Sequence, residues 1–132
     1  MSLTPGQERK LDRFERNLRK IQPMPANVSE RDFQLAVVDL AKRAGWLVFH
    51  PLPALAKSGH YMTATQGDVG YPDLTLVHRK RKLVLFVELK SHTGRVSIDQ
   101  TMWGAALTEA GADYRLVRPH DWVLLANHLL GG

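Results

Sequence analysis

Two carboxylates and a lysine, Asp73, Glu88 and Lys90, stand where the chain could assemble a hydrolytic site. They lie in two runs rich in aliphatic and β-branched residues, 73–78 and 83–90, joined by a short basic link, and this pattern predicts a β-hairpin. A turn centred in the middle of that link makes Asp73 face Glu88. Because side chains alternate along a strand, the three charged groups then lie on one face.

The same register predicts the remaining pairs of the hairpin and the face that builds the core. Thr75 is expected to face Phe86, and Val77 to face Val84. The side of the hairpin away from the charges is apolar and carries Leu74, Leu76, Leu85, Val87 and Leu89.

Opposed carboxylates need a positive charge between them. Like charges facing each other across a ladder destabilise it by roughly 0.2–1 kcal/mol, and by more when they are partly buried. Lys90 can neutralise part of this repulsion, but a hard divalent cation such as Mg²⁺ does so better, because it takes oxygen ligands from one or two carboxylates. A water on such an ion can attack a phosphodiester. We expect Lys90 to orient or deprotonate that water and to contact the phosphate.

Five further helices and strands are predicted to position this hairpin. Ser29 with Asp32 resembles a capping box and opens a helix over 30–44, and the strand 46–50 follows it. A long loop without sustained periodicity is expected over 51–72. After the hairpin, a capping box at Ser97 and Gln100 opens a helix that closes at Gly111, followed by a strand 114–117 and a helix 121–130.

The element order αβββαβα predicts a single α/β domain over residues 29–132 with a central mixed sheet flanked by helices. Residues 1–28 look like a basic arm, since six basic residues stand against three acidic ones between Glu8 and Lys20. Its apolar residues recur at helical spacing, which makes an amphipathic helix plausible: Leu11, Phe14, Leu18 and Ile21. Three interpretations of the arm stay open: it packs on the domain, it packs on the second subunit of a dimer, or it binds DNA.

Composition restricts the other classes of function. The chain has 18 Lys and Arg against 13 Asp and Glu, net +5, a balance that favours polyanions such as nucleic acid. It has no cysteine, which excludes disulfides, thiolate zinc sites and a cysteine nucleophile. No apolar run is long enough to cross a membrane, and the N-terminus does not resemble a secretory signal. We therefore expect a cytoplasmic protein with no membrane partner.

The ordered set of motifs resembles a known nuclease family. Pro72-Asp73 followed by Glu88-Leu89-Lys90 matches the PD-(D/E)XK signature. The wider pattern is similar to its VRR-Nuc (virus-type replication-repair nuclease) branch over about residues 29–123: Glu30, Phe33-Gln34, Ala41, Gly45-Trp46, His50, Gly70-Tyr71-Pro72-Asp73-Leu74, Glu88-Leu89-Lys90, Gly94, Ser97, Gln100, Trp103, Gly111, Arg118-Pro119 and Asp121-Trp122.

This resemblance implies a restriction-endonuclease-like αβββαβ core and DNA cleavage that depends on Mg²⁺ or Mn²⁺. It implies that Asp73 and Glu88 bind the metal together with the backbone carbonyl of Leu89, and that Lys90 is catalytic. Gln100 and Glu30 would complete the site. Stand-alone members of the branch resemble Holliday-junction resolvases and pair as dimers, which implies branched DNA as substrate and a homodimer here.

Each assignment has a plainer alternative. The charged triad could be a surface ion-pair cluster, Gln100 could serve only as a cap, and Glu30 could serve only the helix dipole. The tryptophans 46, 103 and 122 are expected in the core or an interface more than as stacking platforms. At the level of function the alternatives are a catalytically silent nucleic-acid-binding module and a nonspecific or RNA-directed nuclease.

The candidate dimer interface comprises Leu11, Phe14, Leu18, Ile21, Val123, Leu124, Leu129 and Leu130.

Overall fold

The computed structural model describes residues 2–51, 54–55, 61–62 and 66–131 of the chain. Its helices and strands are, in chain order, α1 (Pro5–Lys20), α2 (Glu30–Arg43), β1 (Leu47–Phe49), β2 (Ala54–Leu55), β3 (Tyr61–Met62), β4 (Leu74–His78), β5 (Leu83–Leu89), α3 (Ile98–Glu109), β6 (Asp113–Val117) and α4 (Trp122–Leu129). A 3₁₀ turn, Pro119–Asp121, links β6 to α4.

Four of the strands form one sheet in the order β1-β4-β5-β6. The β1–β4 and β4–β5 pairs are antiparallel and the β5–β6 pair is parallel, so the sheet is mixed, as predicted. Thr75 pairs with Phe86 and Val77 pairs with Val84, which confirms the predicted register of the hairpin. A one-residue slip would have moved every side chain to the opposite face.

The apolar face of the sheet packs against α2 and α4. The strand residues predicted for this face are all fully buried: Leu74, Leu76, Leu85, Val87 and Leu89. Phe33, Val37 and Ala41 form the buried stripe of α2, at the spacing expected for one face of a helix. Leu125 and Leu129 of α4 complete the core. The hydrophobic pattern therefore anchors both helices on the side of the sheet away from the charged residues.

The helix ends are set by the caps that the sequence predicts. The Ser29 hydroxyl accepts a hydrogen bond of 3.0 Å from the Asp32 backbone N–H at the start of α2. At α3 both halves of the capping box are present, between Ser97 and Gln100. Gly45 follows α2 with a φ of 90°, a left-handed conformation that glycine adopts without steric cost.

One prediction of local structure was wrong in detail. The segment 51–72 is not structureless, because β2 and β3 pair antiparallel within it. Strands of two residues are too short to produce a periodic signal, so the pattern could not reveal them. The helix expected in the arm is present as α1, which begins at Pro5 because Thr4 and Gln7 exchange side-chain caps and proline favours the first helical turn.

Helix α1 lies against α4, and the Trp122 indole donates a hydrogen bond of 3.1 Å to the carbonyl of Gln22. This position favours a helix packed on its own domain over a free arm. The boundary between residues 1–28 and the domain at 29–132 stays a prediction. No helix within the described ranges is long and apolar enough to cross a bilayer.

The candidate dimer interface needs one correction. Leu129 is only 1% exposed and belongs to the core, so it is not available to a partner. Its neighbours on the outer face of α4, Leu124 and Leu130, are exposed, and so is Leu11 of α1. The helical pattern of 121–130 did not reveal which leucines face inward, because the segment is apolar on most sides.

Gly104 of α3 should not tolerate a side chain. A Cβ at this position would lie 2.5 Å from the ring of Tyr114, so we expect Gly104→Ala to destabilise the fold by roughly 1–3 kcal/mol, as overpacking does. Chemical denaturation followed by circular dichroism measures this. Gly6→Ala is the matched control, since that helical glycine has nothing closer than 3.9 Å and the change should be neutral or slightly stabilising. Equal stability of the two variants would contradict the packing described.

Candidate active site

The two carboxylates meet at one end of the hairpin. Asp73 directly precedes β4, and Glu88 is the penultimate residue of β5, so the register that buries the leucines also brings these two side chains opposite each other. Asp73 is half-buried, whereas Glu88 is only 1% exposed. A carboxylate so deeply buried must be held by specific partners.

Three groups contact the pair. The backbone N–H of Leu89 donates to Asp73 Oδ2 over 2.8 Å. Gln100 Nε2 donates to Glu88 Oε1 over 2.9 Å, and Lys90 Nζ lies 3.8 Å from the same oxygen. Glu88 also shares a side-chain hydrogen bond with Asp73, in which one of the two must hold a proton. The structure therefore brings Asp73, Glu88, Lys90 and Gln100 together and lays the Leu89 backbone beside them.

The electrostatics of the site favour a neutral Glu88 when no cation is bound. Burial raises the pKa of Glu88 from 4.5 to about 8, and the charge of Asp73 and its hydrogen bond act in the same direction. Lys90 lowers this pKa, but not enough to offset the other causes. The charge of Lys90 alone thus does not offset the burial of Glu88 and its repulsion by Asp73.

Gln100 has two roles in the structure. Its Oε1 accepts a hydrogen bond of 3.0 Å from the Ser97 backbone N–H, while its Nε2 reaches Glu88. The capping and the site contact use opposite ends of one amide, so they are compatible. By contrast Glu30, in the first turn of α2, is exposed and acts on Glu88 through its charge, which raises the pKa of that carboxyl.

His50 connects α2 to the site. Its Nδ1 is 2.7 Å from the carbonyl oxygen of Asp73, and its Nε2 is 2.8 Å from Nε2 of Gln34. The carbonyl can only accept and the amide nitrogen can only donate, so these contacts fit a neutral imidazole protonated on Nδ1. The sequence left His50 open between lining the site and ending its strand; here it holds the backbone of Asp73 in place.

Tyr114 of β6 is a site neighbour that the sequence did not single out. It pairs with Phe86, two residues before Glu88, and its ring lies against Gly104 of α3. Burial and the negative charges of Glu88 and Asp73 raise the pKa of its phenol. An aromatic residue inside a short strand carries no sequence signal of this position, since it depends on the parallel pairing of β5 with β6.

The donor set fits a small divalent cation with few protein ligands. No group of three or more His, Cys, Asp or Glu side chains converges within the described part of the chain. Two carboxylates remain, Asp73 and Glu88, and the Leu89 carbonyl can add a third oxygen, because in an extended strand it points to the same side as the N–H that bonds Asp73. Mg²⁺ takes one or two carboxylates and keeps several waters, so this set suits it.

The raised pKa of Glu88 has a consequence for stability. Because its pKa in the folded protein exceeds the unfolded value, its contribution is full below about pH 4.5 and is lost as pH rises through about 8. In EDTA we expect the wild type to lose on the order of 3 kcal/mol more stability between pH 5 and pH 9 than Glu88→Gln, whose neutral amide does not titrate. Urea denaturation at both pH values measures the difference. Parallel pH profiles of the two proteins would show that Glu88 does not titrate in this range.

Comparison with known proteins agrees with this architecture. The sequence model of the VRR-NUC domain matches residues 51–121, just over half of the chain. A solved structure described as a VRR_NUC domain is similar with a TM-score of 0.53 and 22% identity, over 73% of this chain and 90% of that chain, a likeness that bears on the fold. A search of curated proteins gave no match. The resemblance indicated by the motifs is confirmed: the chain belongs to the VRR-NUC domain family and is a nuclease-type domain.

Proposed function

We propose that this protein is a divalent-metal-dependent DNA endonuclease that acts on branched DNA and uses Mg²⁺ or Mn²⁺. The observation that carries the proposal is the contact between Asp73 and Glu88 in a buried setting that raises the pKa of Glu88 to about 8. Such a pair is costly for folding alone, and strongly perturbed carboxylates in a cluster mark functional sites. A divalent cation would relieve both the repulsion and the burial cost.

The residues of the site have separate tasks in this mechanism. Asp73, Glu88 and the Leu89 carbonyl would hold the ion, which when bound supplies a water of lowered pKa and stabilises negative charge on the phosphate. The Gln100 amide fixes the orientation of the Glu88 carboxylate. Lys90, whose Nζ lies 3.8 Å from Glu88 Oε1, would contact the scissile phosphate and orient or deprotonate the attacking water.

The proposed partner is DNA. A net charge of +5 favours a polyanion, and the lysine of the site has the sign needed for a phosphate. Branched DNA is proposed because the stand-alone members of the family that this sequence resembles are similar to Holliday-junction resolvases. Cutting a two-fold symmetric junction in both strands requires two sites, which one subunit with one site does not supply.

A homodimer related by a two-fold axis is therefore part of the proposal. Three exposed apolar residues could form the interface: Leu11 of α1, Leu124 of α4 and Leu130, which follows α4. Sedimentation equilibrium tests the assembly. The proposal expects twice the 14.9 kDa chain mass, and a monomer both free and on a junction would move the favoured substrate to flaps or nicked ends.

The function is tested with labelled linear, flapped and four-way DNA incubated with Mg²⁺, Mn²⁺ or EDTA. The proposal expects cleavage that depends on the metal and is fastest on branched DNA. Binding of DNA without cleavage under any metal would favour a catalytically silent module. Equal cleavage of linear DNA or of RNA would favour a nonspecific or RNA-directed nuclease.

Substitution of Lys90 and substitution of the carboxylates should have different effects on Mn²⁺ binding. Asp73→Asn and Glu88→Gln each replace a metal-ligand carboxylate by an amide of the same shape, so both should lose cleavage and Mn²⁺ binding. Lys90→Ala should lose cleavage but keep Mn²⁺ binding, since the lysine serves the water and the phosphate. Isothermal titration calorimetry with Mn²⁺ and a cleavage assay on each variant provide the two readouts. If Lys90→Ala loses its metal along with its activity, the task assigned to the lysine is wrong.

His50 should matter through the position of Asp73. We expect His50→Ala to weaken Mn²⁺ binding by about 10- to 100-fold, as loss of an outer-shell partner of a metal ligand does, while the fold is kept. The same calorimetric titration measures it, and circular dichroism checks the fold. His120→Ala is the matched control, because that histidine is exposed and contacts only Asp121 among the described ion pairs. Equal metal affinity of the two variants would remove His50 from the site.

A further inference from the structure

A cavity of about 320 Å³ opens beside the active site, on the next face of α3. It is lined by six residues, Asp68, Val69, Asp99, Met102, Trp103 and Ala106. Asp99 directly precedes Gln100, whose amide reaches Glu88. The cavity and the catalytic centre are therefore formed by the same two turns of one helix.

The walls of this cavity are fixed by specific contacts. The Trp103 indole donates a hydrogen bond of 3.3 Å to the carbonyl of Asp68, and Tyr71 packs edge-on against Trp103 with 5.1 Å between ring centroids. Gly70, at a φ of 96°, comes so close to α3 that a Cβ there would lie 2.5 Å from the backbone of Asp99. These contacts hold the segment before β4 against the helix and keep the cavity preformed.

Two apolar residues of the lining are exposed to solvent. Val69 is 57% and Met102 is 65% exposed. Trp46 is 3% exposed and belongs to the core, whereas Trp103 is partly exposed and lines this cavity, which is the setting in which an indole can stack on a flat ligand.

The charged part of the lining selects the chemistry of the ligand. Asp68 and Asp99 are exposed carboxylates in a chain with net charge +5, so this region repels phosphate, which the rest of the chain attracts. Carboxylates accept hydrogen bonds from N–H groups. A flat ring whose edge carries adjacent N–H donors satisfies both the apolar wall and the carboxylates. Among the components of DNA, guanine has this edge, with N1–H beside its exocyclic amine.

The position of the cavity along α3, within one turn of Gln100, suits a nucleotide close to the candidate active site. One turn of helix α3 spans about 5.4 Å, and successive nucleotides of a duplex strand are about 3.4 Å apart. A base in the cavity would thus belong to a nucleotide close to the cut. We propose that this cavity binds an unpaired base of the DNA substrate, guanine foremost, through stacking on Trp103 and hydrogen bonds to Asp68 and Asp99. The inference rests on the proposed function and names the feature of branched DNA that the protein recognises.

The test measures binding in EDTA, so that it does not depend on cleavage. Fluorescence anisotropy follows labelled duplexes that carry one bulged nucleotide with guanine, thymine or no base. We expect the wild type to bind the guanine bulge roughly five-fold or more tighter than the other two. The abasic bulge lacks a base-stacking contact of about this size, and the thymine bulge lacks the adjacent N–H donors that the carboxylates accept. Met102→Ala and Asp99→Asn should each bring this ratio close to one.

Matched variants distinguish an effect of the cavity from the effect of losing any exposed apolar side chain or any negative charge. Leu35→Ala removes a comparably exposed side chain and Asp39→Asn removes the same charge, both from α2, and both variants should keep the guanine preference. A wild type that binds all bulges equally, or a preference that survives in both cavity variants, overturns the assignment and leaves the cavity to a protein partner. If no duplex is bound at all, the DNA partner of the proposed function fails as well. Metal-dependent cleavage without base preference would overturn the cavity alone.

Discussion

The pairing of β4 with β5 is the constraint on which the site and the core both depend. In this register Leu74 and Val87 face the helices, while Asp73 and Glu88 meet on the other side. A shift of one residue would bury charges and expose leucines, so the hydrophobic pattern that stabilises the sheet also fixes the carboxylates. The strand pairing that forms the core therefore also brings the two carboxylates together.

Burial then gives this pair its chemical character. Glu88 is surrounded by the sheet, by α3 and by Asp73, and its pKa rises to about 8. Two direct partners of the pair are themselves held by the fold, Gln100 by its capping box and the Leu89 amide by β5. His50 in turn holds the backbone carbonyl of Asp73. The positions of the oxygens are thus set in advance, which is what a catalytic metal site requires.

Helix α3 links this centre to the surface around it. Its first turn contributes Gln100 to the site, Gly104 allows Tyr114 to pack beneath it, and its outer face forms the cavity around Trp103. Gly70 presses the preceding segment onto the same turn. If a base binds in the cavity, it does so against the element that orients Glu88, so recognition of the substrate and positioning of the site share one rigid body.

The sequence by itself determined the order of the main elements, the hairpin register and the placement of Asp73, Glu88 and Lys90 on one face, because alternation and helix caps are local signals. Gln100 was assigned to the site by the family resemblance. The sequence did not reveal that β2 and β3 pair, that His50 supports Asp73, or that Leu129 is core while Leu124 is exposed. These depend on which surfaces pack together. The raised pKa of Glu88 belongs to the same class, since the cost of a buried charge is set by its surroundings in space and not by its neighbours in the chain.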